Sequence, residues 1–307
     1  MLVMTADQEK LRERFLEPET RNGIFVSREM KRIWKVELDI LEQFIRICDK
    51  YQLRWFAVGG TLIGAARHKG FIPWDDDIDV ALPRPDYDRF LEVAPLELAY
   101  PYELSNSALE PGHWHQGHTR ICNSDTAAVP RSYVHEKRQF NMGIFIDILP
   151  VDGVTRNRLL FWIQKNVLGY ARAISRFNFV KPEKDERFAF AKAAVAKIVY
   201  FFLRNRGLEF IKRTAITWTK LGSTDCCGYV AIGFLKRDLF PPRLMNKLCK
   251  LPYEYLEVNC PADYDDFLKV RYGDWKTFKP QEVYHSYDFY TDVPYKKILW
   301  EKYGYGE

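Results

Sequence analysis

Four aspartates occupy the five positions from 75 to 79, Asp75, Asp76, Asp77 and Asp79, and a fifth, Asp147, stands alone in the apolar run from Gly143 to Pro150. Carboxylates this close repel one another unless protons or a cation offset their charge. A hard divalent cation is the simplest remedy, and magnesium commonly takes one or two carboxylates together with phosphate oxygens. Ile78, Val80 and Leu82 alternate with or follow the acids, so the stretch is expected to be a strand, with Asp77 and Asp79 on one face and Asp75 at its beginning. A calcium loop fits poorly. Position 6 of such a loop needs glycine but holds Val80, and Pro83 and Pro85 break its second half. A solvated acidic turn is the bland alternative, and the flanking apolar residues argue against it.

Asp147 needs its own explanation, because a lone carboxylate in an apolar strand is costly unless it is paired or binds a metal. An ion pair with a distant arginine is one answer; a second strand of a metal site is the other. The pair Gly59-Gly60 precedes a short helix expected from Thr61 to Arg67. Glycines at a strand-to-helix junction let backbone N–H groups approach a phosphate, though such a pair is often only a tight turn. A glycine pair, then D-x-D on one strand, then a single acid on another, could hold two cations for an in-line phosphoryl displacement. That is the nucleotidyltransferase arrangement of the polymerase-β type.

The elements that position these groups follow from periodicity. Apolar residues from Met30 to Cys48 recur at helical spacing behind Ser27, a suitable N-cap, so 28–50 is expected to be one amphipathic, core-packing helix. Leu53 to Val58 is expected to be a strand, and a further helix to begin near Asp86. Residues 1–26 are polar, are broken by Pro18 and Gly23, and are expected to be a loosely attached arm. The expected fold is α+β: a nucleotidyltransferase-like core over 27–155 with a mixed sheet flanked by helices, a basic helical segment over 156–250, and a segment over 251–307 that packs back on the core.

The net charge of +5 is unevenly placed. Between Arg156 and Lys220 there are 15 Lys/Arg against 4 Asp/Glu, a net +11 that leaves −6 for the rest of the 307 residues. Helices broken near Pro182 and Gly207 are expected there, and Phe161, Trp162, Phe177, Phe179, Tyr200, Phe201 and Phe202 accompany the basic residues. Such a segment suits an anionic membrane surface, with a plain solvated face as the alternative. Nucleic acid is not the expected partner, since no nucleic-acid-binding motif is present. Six cysteines without a C-x-x-C pair are expected to be reduced thiols, Cys226 and Cys227 among them. No apolar run reaches the roughly 18 residues of a membrane span, and no apolar leader stands at the N-terminus. A cytoplasmic protein, peripheral on the inner face of the membrane, is the expectation.

The run from Gly59 to Ala65, followed by Arg67-His68-Lys69-Gly70-Phe71-Ile72-Pro73-Trp74-Asp75-Asp76-Asp77-Ile78-Asp79-Val80, resembles the signature of the LicD family, which includes bacterial phosphocholine transferases and fukutin-type ribitol-phosphate transferases. Gly143 to Asp152 and Tyr272 to Trp275 resemble its later blocks. The resemblance implies transfer of a phospho-alcohol, phosphocholine foremost, from a CDP-alcohol donor to a hydroxyl of a cell-surface glycan or its lipid-linked precursor, with release of CMP. It implies Asp77, Asp79 and Asp147 as catalytic acids and ligands of Mg2+ or Mn2+. Gly59, Gly60 and Thr61 would cradle the donor diphosphate. Arg67 would contact phosphate oxygens, with His68 and Lys69 beside it on the substrate side. Arg120 would reach a phosphate or form a structural ion pair. The arginine expected between Pro280 and His285 is missing, so His285 receives no role.

Other candidates are weaker. His113, His115 and His118 could bind zinc but lack a cysteine or carboxylate at ligand spacing, and a surface or substrate-facing loop suits them better. Lys137 and Arg138 would serve the substrate or solvate a loop. The alternatives to phospho-alcohol transfer are nucleotidyl transfer from an NTP with release of pyrophosphate, and an inactive glycan- or membrane-binding module.

Overall fold

The computed structural model of the chain describes residues 6–110, 117–131, 140–155, 157–179, 189–217, 226–229, 239–277 and 286–304. It opens with α1 (Ala6–Arg14) and a hairpin of β1 (Glu19–Arg21) and β2 (Ile24–Val26), followed by the long α2 (Arg28–Lys50). Ser27 starts α2 by accepting a hydrogen bond from the Met30 amide at 3.2 Å, as an N-cap should. Next come β3 (Phe56–Ala57), α3 (Gly59–His68), β4 (Asp79–Pro83) and α4 (Arg84–Glu97). Strands β5 (Tyr102–Ser105), β6 (Thr119–Asn123), β7 (Ala127–Pro130) and β8 (Ile144–Gly153) precede two long helices, α5 (Arg158–Phe179) and α6 (Ala189–Thr217). Short strands β9 (Cys227–Gly228) and β10 (Leu239–Phe240) lead to the hairpin of β11 (Leu248–Tyr253) and β12 (Leu256–Pro261), then α7 (Tyr264–Tyr272), β13 (Tyr287–Tyr290) and α8 (Tyr295–Tyr303).

One sheet organises the rest. Its path is β10-β9-β8-β4-β3, with β6 also on β8 and β5 on β6. β4 and β8 are parallel while the other pairs are antiparallel, so the sheet is mixed. β8 lies at the centre because Ile144, Ile146, Ile148 and Val151 are fully buried, the near-continuous apolar run of a strand covered on both faces. The apolar stripe of α2, with Trp34, Leu38, Leu41 and Phe44 fully buried, packs over β6 and β8. The architecture is α+β, a mixed sheet flanked by helices.

Four details differ from expectation. The acidic stretch is not all strand: β4 begins only at Asp79, and Asp75 and Asp77 precede it in an irregular segment. A turn in which the Asp75 amide donates to the Ile72 carbonyl at 2.9 Å diverts the chain there. The N-terminal residues are not loosely attached, since Phe15 and Val26 are buried in the main core. Arg21 also pairs with Glu254, 233 positions away, through Nη1 at 2.7 Å and Nη2 at 3.1 Å. The interruption of α6 falls at Arg204 (φ 53°, ψ −176°) rather than at Gly207, while Pro182 lies outside the described residues. Finally, the segment expected to be helical to residue 250 turns to short strands from Cys227 onward.

Candidate active site

The glycine pair has a local reason. Val58 and Asp79 are joined by the Val58 amide donating to the Asp79 carbonyl at 3.1 Å, which brings the start of α3 against the acids. Gly59 has φ +59°, in the left-handed region that disfavours side chains. A Cβ there would stand 2.5 Å from Asp79 Oδ2, and one on Gly60 would collide with Asp75 Oδ2. The glycines therefore make room for two carboxylates. Thr61 is buried, and its hydroxyl accepts the Asp79 amide at 2.8 Å. Gly59, Gly60 and Thr61, expected to cradle a diphosphate, thus shape the acidic site directly.

Asp79 and Asp147 are register partners on the parallel strands β4 and β8, so their side chains leave the sheet on the same face. The Asp147 amide donates to the Ile78 carbonyl at 2.8 Å, which carries the pairing one residue back toward Asp77. Asp75 is fixed from α2: Trp34 Nε1 donates to its carbonyl at 2.8 Å, and the Trp34 ring stacks on Phe71 with centroids 4.5 Å apart. Two strands and one helix thus bring the acids together.

Their proton affinities report the crowding. Burial first, then the charges of Asp147 and Asp76, pushes Asp77 up to about 7. Burial and the neighbouring acids raise Asp75 and Asp79 as well. Asp147 behaves oppositely. Burial would raise it, but Arg120 and then His118 outweigh that and hold it well below the usual carboxylate range. Arg120 Nε donates to Asp147 Oδ1 at 2.7 Å, and His118 Nε2 lies 3.0 Å from the same oxygen.

Arg120 is itself buried, with its guanidinium 3.6 Å from the Phe145 ring centroid and Nη2 donating to the Tyr287 hydroxyl at 3.2 Å. Of its two expected roles the structure displays the ion pair. His118 is not on a surface loop: it is 4% exposed, and it lines a cavity of about 370 Å³ shared with Arg84, Tyr87, Asn106 and Lys212.

The remaining predicted residues lie at the end of α3. Arg67 donates from Nη1 to the Trp275 carbonyl at 2.9 Å and from Nε to His68 Nε2 at 2.9 Å. It thereby joins the Gly59–Val80 run to the Tyr272–Trp275 block. Burial, then the charges of Arg67 and Arg21, lowers His68 to about 4, so it is neutral at physiological pH. Lys69 is exposed and ends α3 in a left-handed conformation, its carbonyl accepting the Glu254 amide at 2.8 Å. His113, His115, Lys137, Arg138 and His285 lie outside the described residues.

One residue escaped the sequence reading. Glu37, on the buried face of α2, is 1% exposed, and its Oε2 has no hydrogen-bond partner among the described residues. The signal was available: an acid one turn beyond Trp34, inside an apolar stripe, is out of place in a purely packing helix.

The donor set suits a hard cation. It consists of carboxylate oxygens, partly screened from solvent, whose proton affinities are raised at Asp75, Asp77 and Asp79, and it includes an orphaned buried oxygen. Among the described residues no three such side chains converge at ligand spacing.

Comparison with known proteins points to one family. Residues 52–195 match the family described as "LicD/FKTN/FKRP, nucleotidyltransferase domain", a span that holds Asp75 to Asp79, Arg120 and Asp147. The chain is 26% identical over 253 residues to the lipopolysaccharide cholinephosphotransferase LicD of Haemophilus influenzae, covering 80% of this chain and 90% of that protein. Shorter matches are to uncharacterised proteins of Rickettsia typhi, 32% identical over 60 residues (20% of this chain, 19% of that one), and Rickettsia prowazekii, 37% over 46 residues (15% and 17%).

Proposed function

We propose that this chain, whose residues 52–195 match the LicD family, transfers phosphocholine from CDP-choline to a hydroxyl of a cell-surface glycan or its lipid-linked precursor, with release of CMP. The observation that carries this reading is the parallel register of Asp79 with Asp147, flanked by Asp75 and Asp77, within the matched span. The core would be of the nucleotidyltransferase type. Asp77, Asp79 and Asp147 would hold magnesium or manganese, which when bound neutralises phosphate oxygens and the charge developing on the leaving group.

The chain's own residues would do the rest. The acceptor oxygen attacks the phosphorus that bears choline, the bond from that phosphorus to the bridging oxygen breaks, and CMP leaves with the electron pair. The hydroxyl proton passes to a carboxylate of the cluster, where raised proton affinity suits a base working near neutral pH. Arg120 and His118 keep Asp147 ionised. Partial burial of the acids limits competing water.

An anionic membrane surface fits α5 and α6. Trp162, Tyr170, Ile198, Phe201, Phe202 and Phe210 there are 60–77% exposed. Among the described residues no helix is long and apolar enough to cross a membrane. Attachment at the cytoplasmic face would bring the enzyme to a lipid-linked acceptor.

Product analysis tests the reaction. Incubation with CDP-choline, magnesium and a glycan acceptor should release CMP, and Asp79→Asn should reduce turnover by at least about 100-fold, in line with losing one preorganised catalytic charge. The family description also admits nucleotidyl transfer. Release of pyrophosphate from an NTP, with no CMP from CDP-choline, would establish that second reading.

A further inference from the structure

The acids of β4 and β8 and the segment before β4 leave one buried carboxylate unexplained. Glu37 projects from the face of α2 that packs over β6 and β8, one helical turn after Trp34, whose indole holds the Asp75 backbone. It is 1% exposed and Oε2 has no hydrogen-bond partner among the described residues. The charges that bear on it most after burial are Asp77, Asp76, Asp75 and Asp147, all of its own sign. A carboxylate kept in such a place weakens the metal-free fold, whereas glutamine would fill the same volume without the charge. The arrangement makes sense if a cation compensates all these groups together.

We infer that Glu37 belongs to the cation site, supplying a further carboxylate from the face of α2 that packs over β8, the strand of Asp147. The inference rests on the metal-dependent reading above. Its consequence is that α2 helps build the site as well as the core, so cation binding clamps the helix to the sheet.

Mn2+ titration of the full chain by calorimetry, with thermal melts, tests it without a turnover assay. Glu37→Gln should weaken Mn2+ binding at least about 10-fold, raise the melting temperature of the metal-free protein and shrink the stabilisation given by Mn2+. Asp39→Asn, on the same helix but paired with Lys35 at 2.5 Å, controls for net charge and should leave Mn2+ affinity unchanged. Glu37→Asp keeps the charge but shortens the reach; it should bind Mn2+ more weakly than the parent, and it carries the test should Glu37→Gln fail to fold.

Wild-type affinity in Glu37→Gln, or in Glu37→Asp where only that variant folds, overturns the inference alone and makes Glu37 a buried acid of the core. So does equal weakening by Asp39→Asn. No Mn2+ binding by the wild-type chain would instead remove the metal-dependent reading, and this inference with it.

Discussion

Asp77 and Asp147 are near neighbours with opposite electrostatics. Asp147 shares its Oδ1 between Arg120 and His118, whereas Asp77 faces other acids and is pushed up to about 7. An acid whose proton affinity rises on folding contributes stability that is fully present below its ordinary value of 3.8 and is lost as pH climbs through about 7. In EDTA the melting temperature of the wild-type chain should therefore fall between pH 5 and pH 8 more than that of Asp77→Asn. The expected difference is about 5 °C, given about 1.4 kcal/mol per pH unit and roughly 2 °C per kcal/mol for a chain of this size. Saturating magnesium should remove most of the difference, because a ligand bound only by the folded state stabilises it. Parallel melting curves for the two proteins across that pH range would contradict this electrostatic account. Gly60 belongs to the same scale, since its missing side chain is what admits the Asp75 carboxylate.

At the scale of elements, the site depends on how the loop after α3 is held. Arg21, from the β1–β2 hairpin, donates to the Phe71 carbonyl at 2.8 Å and grips both oxygens of Glu254. Glu254 Oε1 in turn accepts the Phe71 amide at 2.9 Å. Three segments distant in sequence are thus clamped immediately before the acidic stretch. Both side chains are largely buried, at 13% and 8% exposure, so Arg21→Ala would strand a carboxylate rather than delete a weak surface pair. The expected cost is about 3–5 kcal/mol in chemical denaturation. A loss below about 1 kcal/mol would mean that the clamp is dispensable. α2 acts similarly, holding Asp75 through Trp34 and presenting Glu37 one turn later.

At the scale of the whole molecule, the helical pair α5–α6 stands apart in character. Its inner side is anchored by Gln164 Nε2 donating to the Ala215 carbonyl at 2.7 Å and by Ser107 donating to Glu209 at 2.9 Å. The pair exposes Trp162, Tyr170, Phe201 and Phe202 within the basic stretch of the chain. Exposed rings within a basic stretch match an interface that buries rings among anionic headgroups. Sedimentation with phosphatidylglycerol vesicles should exceed that with phosphatidylcholine vesicles at least about 5-fold at low salt, at roughly 1 kcal/mol for each basic residue brought near the surface. Exchanging Phe201 and Phe202 for serine should reduce it. Equal pelleting with both vesicles would leave α5–α6 without this role.

Spacing within one element was legible in the sequence. The stripe of α2 with its Ser27 cap, the apolar β8 around Asp147, the helix after Gly59 and the acids from Asp75 to Asp79 all follow from residues a few positions apart, where backbone geometry fixes which side chains are neighbours. The resemblance to the LicD family rested on the same local runs. Only the tertiary structure decided what those residues meet. That Arg120 neutralises Asp147 depends on the antiparallel register of β6 on β8, that Asp79 lies beside Asp147 on the parallel register of β4, and that Glu37 is buried on the packing of α2 over β6 and β8. Local periodicity made 28–50, Glu37 included, a packing helix, and the family resemblance made Thr61 part of a phosphate cradle. Register and packing across tens of residues buried Glu37 with no partner for its Oε2 among the described residues and turned Thr61 toward the Asp79 amide, because a one-residue slip of either strand would exchange the face on which the strand's side chains lie.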